Sequence, residues 1–282
     1  MILNSTEDSL ENPQIAFIGA GNMASSIIGG LIDSGHPAAK ICAADPYPPS
    51  LEQLQALAPI KVSDNNADAV AGADVIILAV KPQVMADATA SIAEPVRAAG
   101  AVTISIAAGV TIASMQQRLG TEAAIIRCMP NTPALVGCGA SALYANEQVN
   151  DQQRQFADAI LSAVGITAWV DSEIELDAIT ALSGSGPAYF FLFMEAMIDA
   201  GVHLGLTTET ASAMAIQTAL GASRMAMESD VDLVELRRRV TSPAGTTERA
   251  VQSFEQGDIR GLVTTAMQAA ADRAAEMAKE MG

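Results

Sequence analysis

Two stretches of this chain concentrate residues whose types and spacing could do chemistry. In IAFIGAGNMA, Gly19, Gly21 and Ala24 form a G-x-G-x-x-A pattern, directly after an apolar run and at the start of a helical one. In that context the first glycine allows a tight turn, and the second lets a pyrophosphate approach the backbone. The alanine permits close helix–strand packing. The loop Gly19, Ala20, Gly21, Asn22 and Met23 would then present N–H groups to the phosphates of a dinucleotide. The second stretch is TSPAGTTERA, residues 241–250. It separates two stretches that read as helix and holds Pro243, Gly245 and four hydroxyl side chains. It could be only a helix–helix corner. A loop that reopens a helix also exposes unpaired N–H groups at the positive end of the helix dipole, where a small carboxylate belongs.

Other candidate residues sit at the ends of apolar runs. Asp45 ends the second run, in AADPYPPS, where a carboxylate can accept hydrogen bonds from both ribose hydroxyls and would repel a 2′-phosphate. No Lys or Arg lies between Lys40 and Lys61 to bind such a phosphate, so NADH should serve at least as well as NADPH. A strand-ending Asp before a Pro-rich turn reads the same way. The run that ends in AVKP places Val80, Lys81 and Pro82 at a carboxyl end, where ligands of open α/β sheets bind. In IAAGVT, Ala107, Ala108 and Gly109 are small enough for a nicotinamide to approach. RCMPNTPALVGCG, with two prolines and Asn131, reads as a rigid crevice-lining loop or a structural turn.

The acid–base inventory narrows the reaction. His36 lies in a turn and His203 near a helix end, which suits packing or capping. No His/Cys/Asp/Glu group has metal-ligand spacing, so no metal is expected. Of the four lysines, Lys40, Lys61, Lys81 and Lys279, only Lys279 lies in the C-terminal part. A hydroxy-acid dehydrogenase needs an acid or base for the alcohol proton. Reduction of a C=N bond tolerates its lack, because a protonated imine is already electrophilic and positioning supplies much of the acceleration.

The elements that must hold these residues fall into two kinds. Up to about residue 129, short apolar runs at 14–19, 41–45, 73–80, 101–107 and 123–129 alternate with amphipathic stretches. This predicts a Rossmann-type, doubly wound parallel sheet covered on both faces. From about Glu173 the apolar spacing becomes helical, over 187–205, 208–229 and 259–281, which predicts an all-α domain rich in small residues. The expected division is a flexible tail at 1–12, a dinucleotide-binding domain at 13–172 and a helical domain at 173–282. So much small apolar surface in a small helical domain favours obligate dimerisation. Arg237, Arg238 and Arg239 point in different directions on a helix and suit salt bridges better than a phosphate site.

Composition excludes several classes. The 282-residue chain is half hydrophobic, only 4% aromatic, and carries a formal charge of −17. Such acidity repels nucleic acid and anionic lipid. Three scattered cysteines, Cys42, Cys128 and Cys138, argue against a disulfide framework and for a reducing compartment. With no signal peptide pattern and no long uncharged apolar span, a cytoplasmic protein is expected.

Taken in order, FIGAGNMA, AVKP, SIAAGVT, IRCMPNTPALVG, LSGSGPAYFF and LRRRVTSPAGTTERAV resemble the pyrroline-5-carboxylate reductase family over roughly residues 15–255. The glycine loop is shared with many dehydrogenases; MPNTP, SGSGPAY and the VTSPxGTT segment together are specific. Ala244 stands where many members have glycine. The resemblance implies NADPH- or NADH-dependent reduction of 1-pyrroline-5-carboxylate to L-proline, the last step of proline biosynthesis. It implies a helical domain that interlocks with a second subunit, in a homodimer or a ring of dimers. It implies that Ser242, Gly245, Thr246 and Thr247 bind substrate, with N–H groups around Thr246 and Thr247 on the carboxylate and the Thr247 hydroxyl at the ring nitrogen, as the catalytic contact. It implies cofactor contacts at Asn66 and at Ala79, Val80, Lys81 and Pro82, besides Ala107. The family's residue at the Asp45 position is often neutral, so Asp45 is a departure that leaves the cofactor preference open. The competing readings are a related imine reductase or hydroxyacid dehydrogenase, and a non-catalytic dinucleotide-binding protein.

Overall fold

Continuous apolar runs become the centre of a sheet. In a computed structural model, which describes residues 12–281, the strands are β1 (Ile15–Ile18), β2 (Ile41–Ala44), β3 (Lys61–Ser63), β4 (Val75–Leu78), β5 (Val102–Ser105), β6 (Ile125–Met129), β7 (Gly139–Ala145) and β8 (Gly165–Trp169). They form one sheet in the order β3-β2-β1-β4-β5-β6-β7-β8. The expected tail lies almost wholly outside the described residues. Strand alternation splits the core between the two faces. Ile15, Phe17, Val75 and Ile77 join one buried cluster with Ile27, Ile28 and Leu54. Ala16, Ile18, Ile76 and Leu78 join a second with Ile92, Val96 and Leu119. The covering helices are α1 (Asn22–Asp33), α2 (Pro48–Leu57), α3 (Asn66–Val70), α4 (Met85–Ala99), α5 (Ile112–Leu119) and α6 (Asp151–Ser162). The doubly wound fold expected from the alternation is present, and β1, flanked by β2 and β4, marks its switch point.

The all-parallel sheet is corrected at one edge. β7 runs antiparallel to β6, with Cys128 opposite Leu143, and β8 runs parallel to β7. A 3₁₀ turn, Thr132–Val136, with Pro133 at its start, ends at Gly137 in the left-handed conformation and reverses the chain between β6 and β7. β3, β7 and β8 were not located by periodicity. β3 has only three residues, and β8 alternates half-buried with exposed positions at the sheet edge.

The described residues divide into two compact units, 12–184 with 271–281, and 185–270. Residues 173–184, assigned from sequence to the helical domain, thus pack with the sheet. Helix α7 (Glu175–Ile179) and the π-helical turn Thr180–Gly184 lie here, with Leu176 and Ala181 buried. The second unit holds α8 (Gly186–His203), α9 (Thr208–Glu228), α10 (Leu233–Arg239), α11 (Thr246–Gln256) and the start of α12 (Ile259–Met281). Its burial is sparse. Between residues 185 and 270 only Gly186, Ala211 and Ala215 are buried, while Phe190, Phe191, Leu192, Met214 and Leu262 are each more than half exposed. A unit with no large side chain in its interior has no core of its own.

Candidate active site

The glycine loop is wedged between the ends of two strands. Gly19 donates its N–H to the Ala44 carbonyl at the end of β2 (2.8 Å), and Ala79 donates to Ile18 at the end of β1 (2.8 Å). Gly19 has φ +101°, and a Cβ there would lie 2.5 Å from the Ala79 oxygen. Both the torsion and the contact require glycine. Gly21 is the N-cap of α1 and nothing lies within 4 Å of where its Cβ would be. No side chain caps α1 and no acid lies in its first turn. The first helical bond is Ser25 N–H to Gly21. The N–H groups of Asn22 and Met23 therefore precede the helical ladder, at the positive end of the dipole. An open, uncapped, acid-free helix start fits a dinucleotide pyrophosphate.

Asp45 follows β2 and faces this loop. Its Oδ2 accepts the Ala20 N–H and its Oδ1 the Tyr47 N–H, both at 2.8 Å. Beyond β4, Ala79 and Val80 are half-buried, Lys81 is exposed, and Pro82 begins a short 3₁₀ turn to Val84. Ala107 is buried after β5. Asn66 opens α3 behind the N-cap Asn65, and its Nδ2 donates to Ser91 Oγ of α4 (2.9 Å). All twelve residues expected at the cofactor thus belong to the first unit, on the carboxyl side of β1, β2, β4 and β5 or at the start of α3.

Two contacts in the same unit were not foreseen. Asn131 Oδ1 accepts the Ala140 N–H (2.9 Å), and its Nδ2 donates to the Ser183 carbonyl (3.0 Å). This ties the MPNTP loop to the π-helical turn that carries LSGSG. A Cβ on Gly184 would come within 2.5 Å of Met129 Cε, the end of a flexible side chain that would have to move aside. Glu173 Oε1 accepts both the Ile112 N–H, at the start of α5, and Arg127 Nη1, each at 2.8 Å. Arg127 is nearly buried, so its charge needs this partner. Burial raises the Asp177 carboxyl above its ordinary range; Arg127 opposes the rise and Glu173 adds to it. Except for Asn131 and Ala140, which are nine positions apart, the partners are 46 or more positions apart in sequence, and nothing local announces them.

The second segment, Ser242 to Thr247, lies in the second unit. Val240 ends α10, and α11 restarts at Thr246 with Gly245 as N-cap. Ala244 has φ +57°. The N–H accounting is specific. The Gly245 N–H donates to the Ser242 carbonyl (3.0 Å), and the Ala244 N–H donates to Glu248 Oε2 (2.9 Å). No side chain caps α11, and its ladder begins with Arg249 N–H to Gly245. The N–H groups of Ser242, Thr246, Thr247 and Glu248 have no partner among the described residues; the last three open α11, and Thr246 and Thr247 are exposed. The three arginines form ion pairs, as their spacing suggested. Arg238 and Arg239 grip Glu235 at 2.6 and 2.9 Å, which holds its carboxyl down to about 2, and Arg237 reaches Glu255 at 3.7 Å. Among the described residues there is no group of three or more His, Cys, Asp or Glu that could hold a metal ion, and no helix is long and apolar enough to cross a membrane.

A doubly wound sheet with an uncapped glycine loop at its switch point, joined to a helical unit, defines a dinucleotide-binding oxidoreductase. Residues 14–109 match a family model described as NADP oxidoreductase, coenzyme F420-dependent, and residues 173–277 match one described as pyrroline-5-carboxylate reductase dimerisation. The pyrroline-5-carboxylate reductase of Pseudomonas aeruginosa is 52% identical over 97% of this chain and 100% of its own. The structure of the pyrroline-5-carboxylate reductase from Coxiella burnetii is 42% identical, covers 94% of this chain and 98% of its own, and superposes with a TM-score of 0.92. The Plasmodium falciparum pyrroline carboxylate reductase, solved with NADP bound, is 29% identical over 95% of this chain and 99% of its own, with a TM-score of 0.82. The chain belongs to the pyrroline-5-carboxylate reductase family.

Proposed function

We propose that this protein reduces 1-pyrroline-5-carboxylate to L-proline with NADPH or NADH. The observation that carries the reading is the pair of N–H groups at Thr246 and Thr247, free together with that of Glu248 in the first turn of α11, beside a Thr247 hydroxyl without a partner among the described residues. The N–H pair binds the substrate carboxylate, helped by the dipole of α11, with Ser242 and Gly245 shaping the loop. The Thr247 hydroxyl orders the ring nitrogen. Gly19, Ala20 and Gly21 shape the loop around the cofactor pyrophosphate, to which Asn22 and Met23 offer their free N–H groups, while the Gly19 and Ala20 N–H groups stay on Ala44 and Asp45; Asp45 meets its ribose and Asn66 its adenosine end. Ala79, Val80, Lys81, Pro82 and Ala107 line the crevice. When bound, the reduced nicotinamide supplies the hydride that the imine carbon accepts. The chain's own contribution is positioning and the exclusion of alternative poses.

In this reading residues 13–172 are the cofactor domain and 173–282 the substrate-binding and dimerisation domain. The exposed apolar faces of α8 and α9 are covered by a second copy, in a homodimer or a ring of dimers, and the protein works in the cytoplasm. A steady-state assay with 1-pyrroline-5-carboxylate and each cofactor tests the activity. Tight cofactor binding without turnover would sink it.

A further inference from the structure

The carboxylate of Glu248 stands where the proposed reaction brings another carboxylate. It is the third residue of α11, in the turn whose N–H groups attract anions, and it folds back to accept the Ala244 N–H at 2.9 Å. That N–H would otherwise be a further free donor beside those of Thr246, Thr247 and Glu248. Ala244 is also held at φ +57°, a conformation that costs an alanine free energy and that a neighbouring contact must maintain. From these relations we infer that Glu248 is a positioning residue of the substrate loop. Resting on the reading of this loop as the carboxylate site, it does two things. It removes the Ala244 N–H from the donors, so an anion registers on the N–H groups of the first turn of α11, those of Thr246 and Thr247 foremost, and not on the loop before it. Its negative charge lowers the loop's general affinity for anions, which disfavours small inorganic ions that lack a ring to fill the rest of the site.

The two effects separate by substitution. Glu248→Gln keeps an oxygen for the Ala244 N–H and loses the charge. Glu248→Ala loses both. The expected results are a several-fold lower KM for 1-pyrroline-5-carboxylate in Glu248→Gln, and a kcat/KM about fivefold or more lower in Glu248→Ala, with kcat carrying the loss. Inorganic sulfate should inhibit Glu248→Ala at several-fold lower concentration than it inhibits the parent. It should also raise the melting temperature of Glu248→Ala more than that of the parent, a readout that needs no turnover. Wild-type kinetics and sulfate response in Glu248→Ala would overturn the inference, as would an equal loss in Glu248→Gln and Glu248→Ala. Absence of turnover in the parent chain counts against the proposed activity instead, and the sulfate melting series still decides the role of Glu248.

Discussion

The Ala20 N–H donates to Asp45 Oδ2 at 2.8 Å, so the glycine loop is tied to the end of the neighbouring strand by a charge-assisted hydrogen bond. With Tyr47 on its other oxygen, Asp45 organises backbone on both sides. Each carboxylate oxygen has a second lone pair, so these bonds leave acceptor capacity for ribose hydroxyls. Asp45→Ala should therefore raise KM for both cofactors, by about tenfold, because charge-assisted bonds of this kind contribute about 1.5 to 3 kcal/mol. The ratio of kcat/KM for NADPH to that for NADH should rise at the same time, since the charge that repels a 2′-phosphate is gone. In the parent chain NADH should serve at least as well as NADPH. A large preference of the parent for NADPH would remove Asp45 from the ribose role.

Thr247 is the side chain on which the chemistry of the second segment depends. Thr247→Ala keeps the N–H donors and deletes the hydroxyl. It should lower kcat/KM by about tenfold or more, the effect of one lost polar contact to the substrate. Thr247→Ser should recover most of the loss. Unchanged kinetics in the alanine variant would refute the assignment.

Ala244 holds a left-handed torsion without the freedom of glycine. Ala244→Gly removes a strain of about 1 kcal/mol or more, while the added flexibility of the unfolded chain returns part of it. A net gain of about 0.5 to 1 kcal/mol should appear in urea denaturation. A loss of stability would mean that the torsion is not strained.

The Asp177 carboxyl gives stability a pH dependence of unusual sign. Burial lifts its value in the folded chain above that in the unfolded chain, so the folded state binds the proton more tightly. Its contribution is fully present below the unfolded value and is lost as pH rises through the folded one. Asp177→Asn should thus melt at a higher temperature than the parent near pH 7 and show little difference near pH 4. Equal shifts at both values, measured by calorimetry, would assign the effect to packing instead.

The second unit predicts its own association. Phe190, Phe191, Phe193, Met197, Met214, Met225 and Met227 lie exposed while its only buried residues are Gly186, Ala211 and Ala215. Burying that surface against a second copy supplies the missing core. Sedimentation equilibrium should show a dimer or larger assembly down to the lowest measurable concentrations. A monomer that persists across the range would contradict this.

What could be read directly from the chain was whatever depends on neighbours in sequence. The apolar runs became β1, β2, β4, β5 and β6, because a strand covered on both faces buries nearly all its side chains and so favours apolar ones, with Thr103, Ser105 and Arg127 the buried polar exceptions. The glycine loop and the restart of a helix at Thr246 were legible because Gly, Pro and hydroxyl residues act on torsions within a few positions. The reversal of β7, the grip of Glu173 on Arg127 and Ile112, the Asn131–Ser183 tie and the choice of Glu248 as partner for Ala244 came only from the folded chain. The first three join residues far apart in sequence. The last turns on which of several polar groups wins one N–H. Strand direction and hydrogen-bond partnership are settled by which groups packing leaves within reach, and that is a property of the tertiary structure.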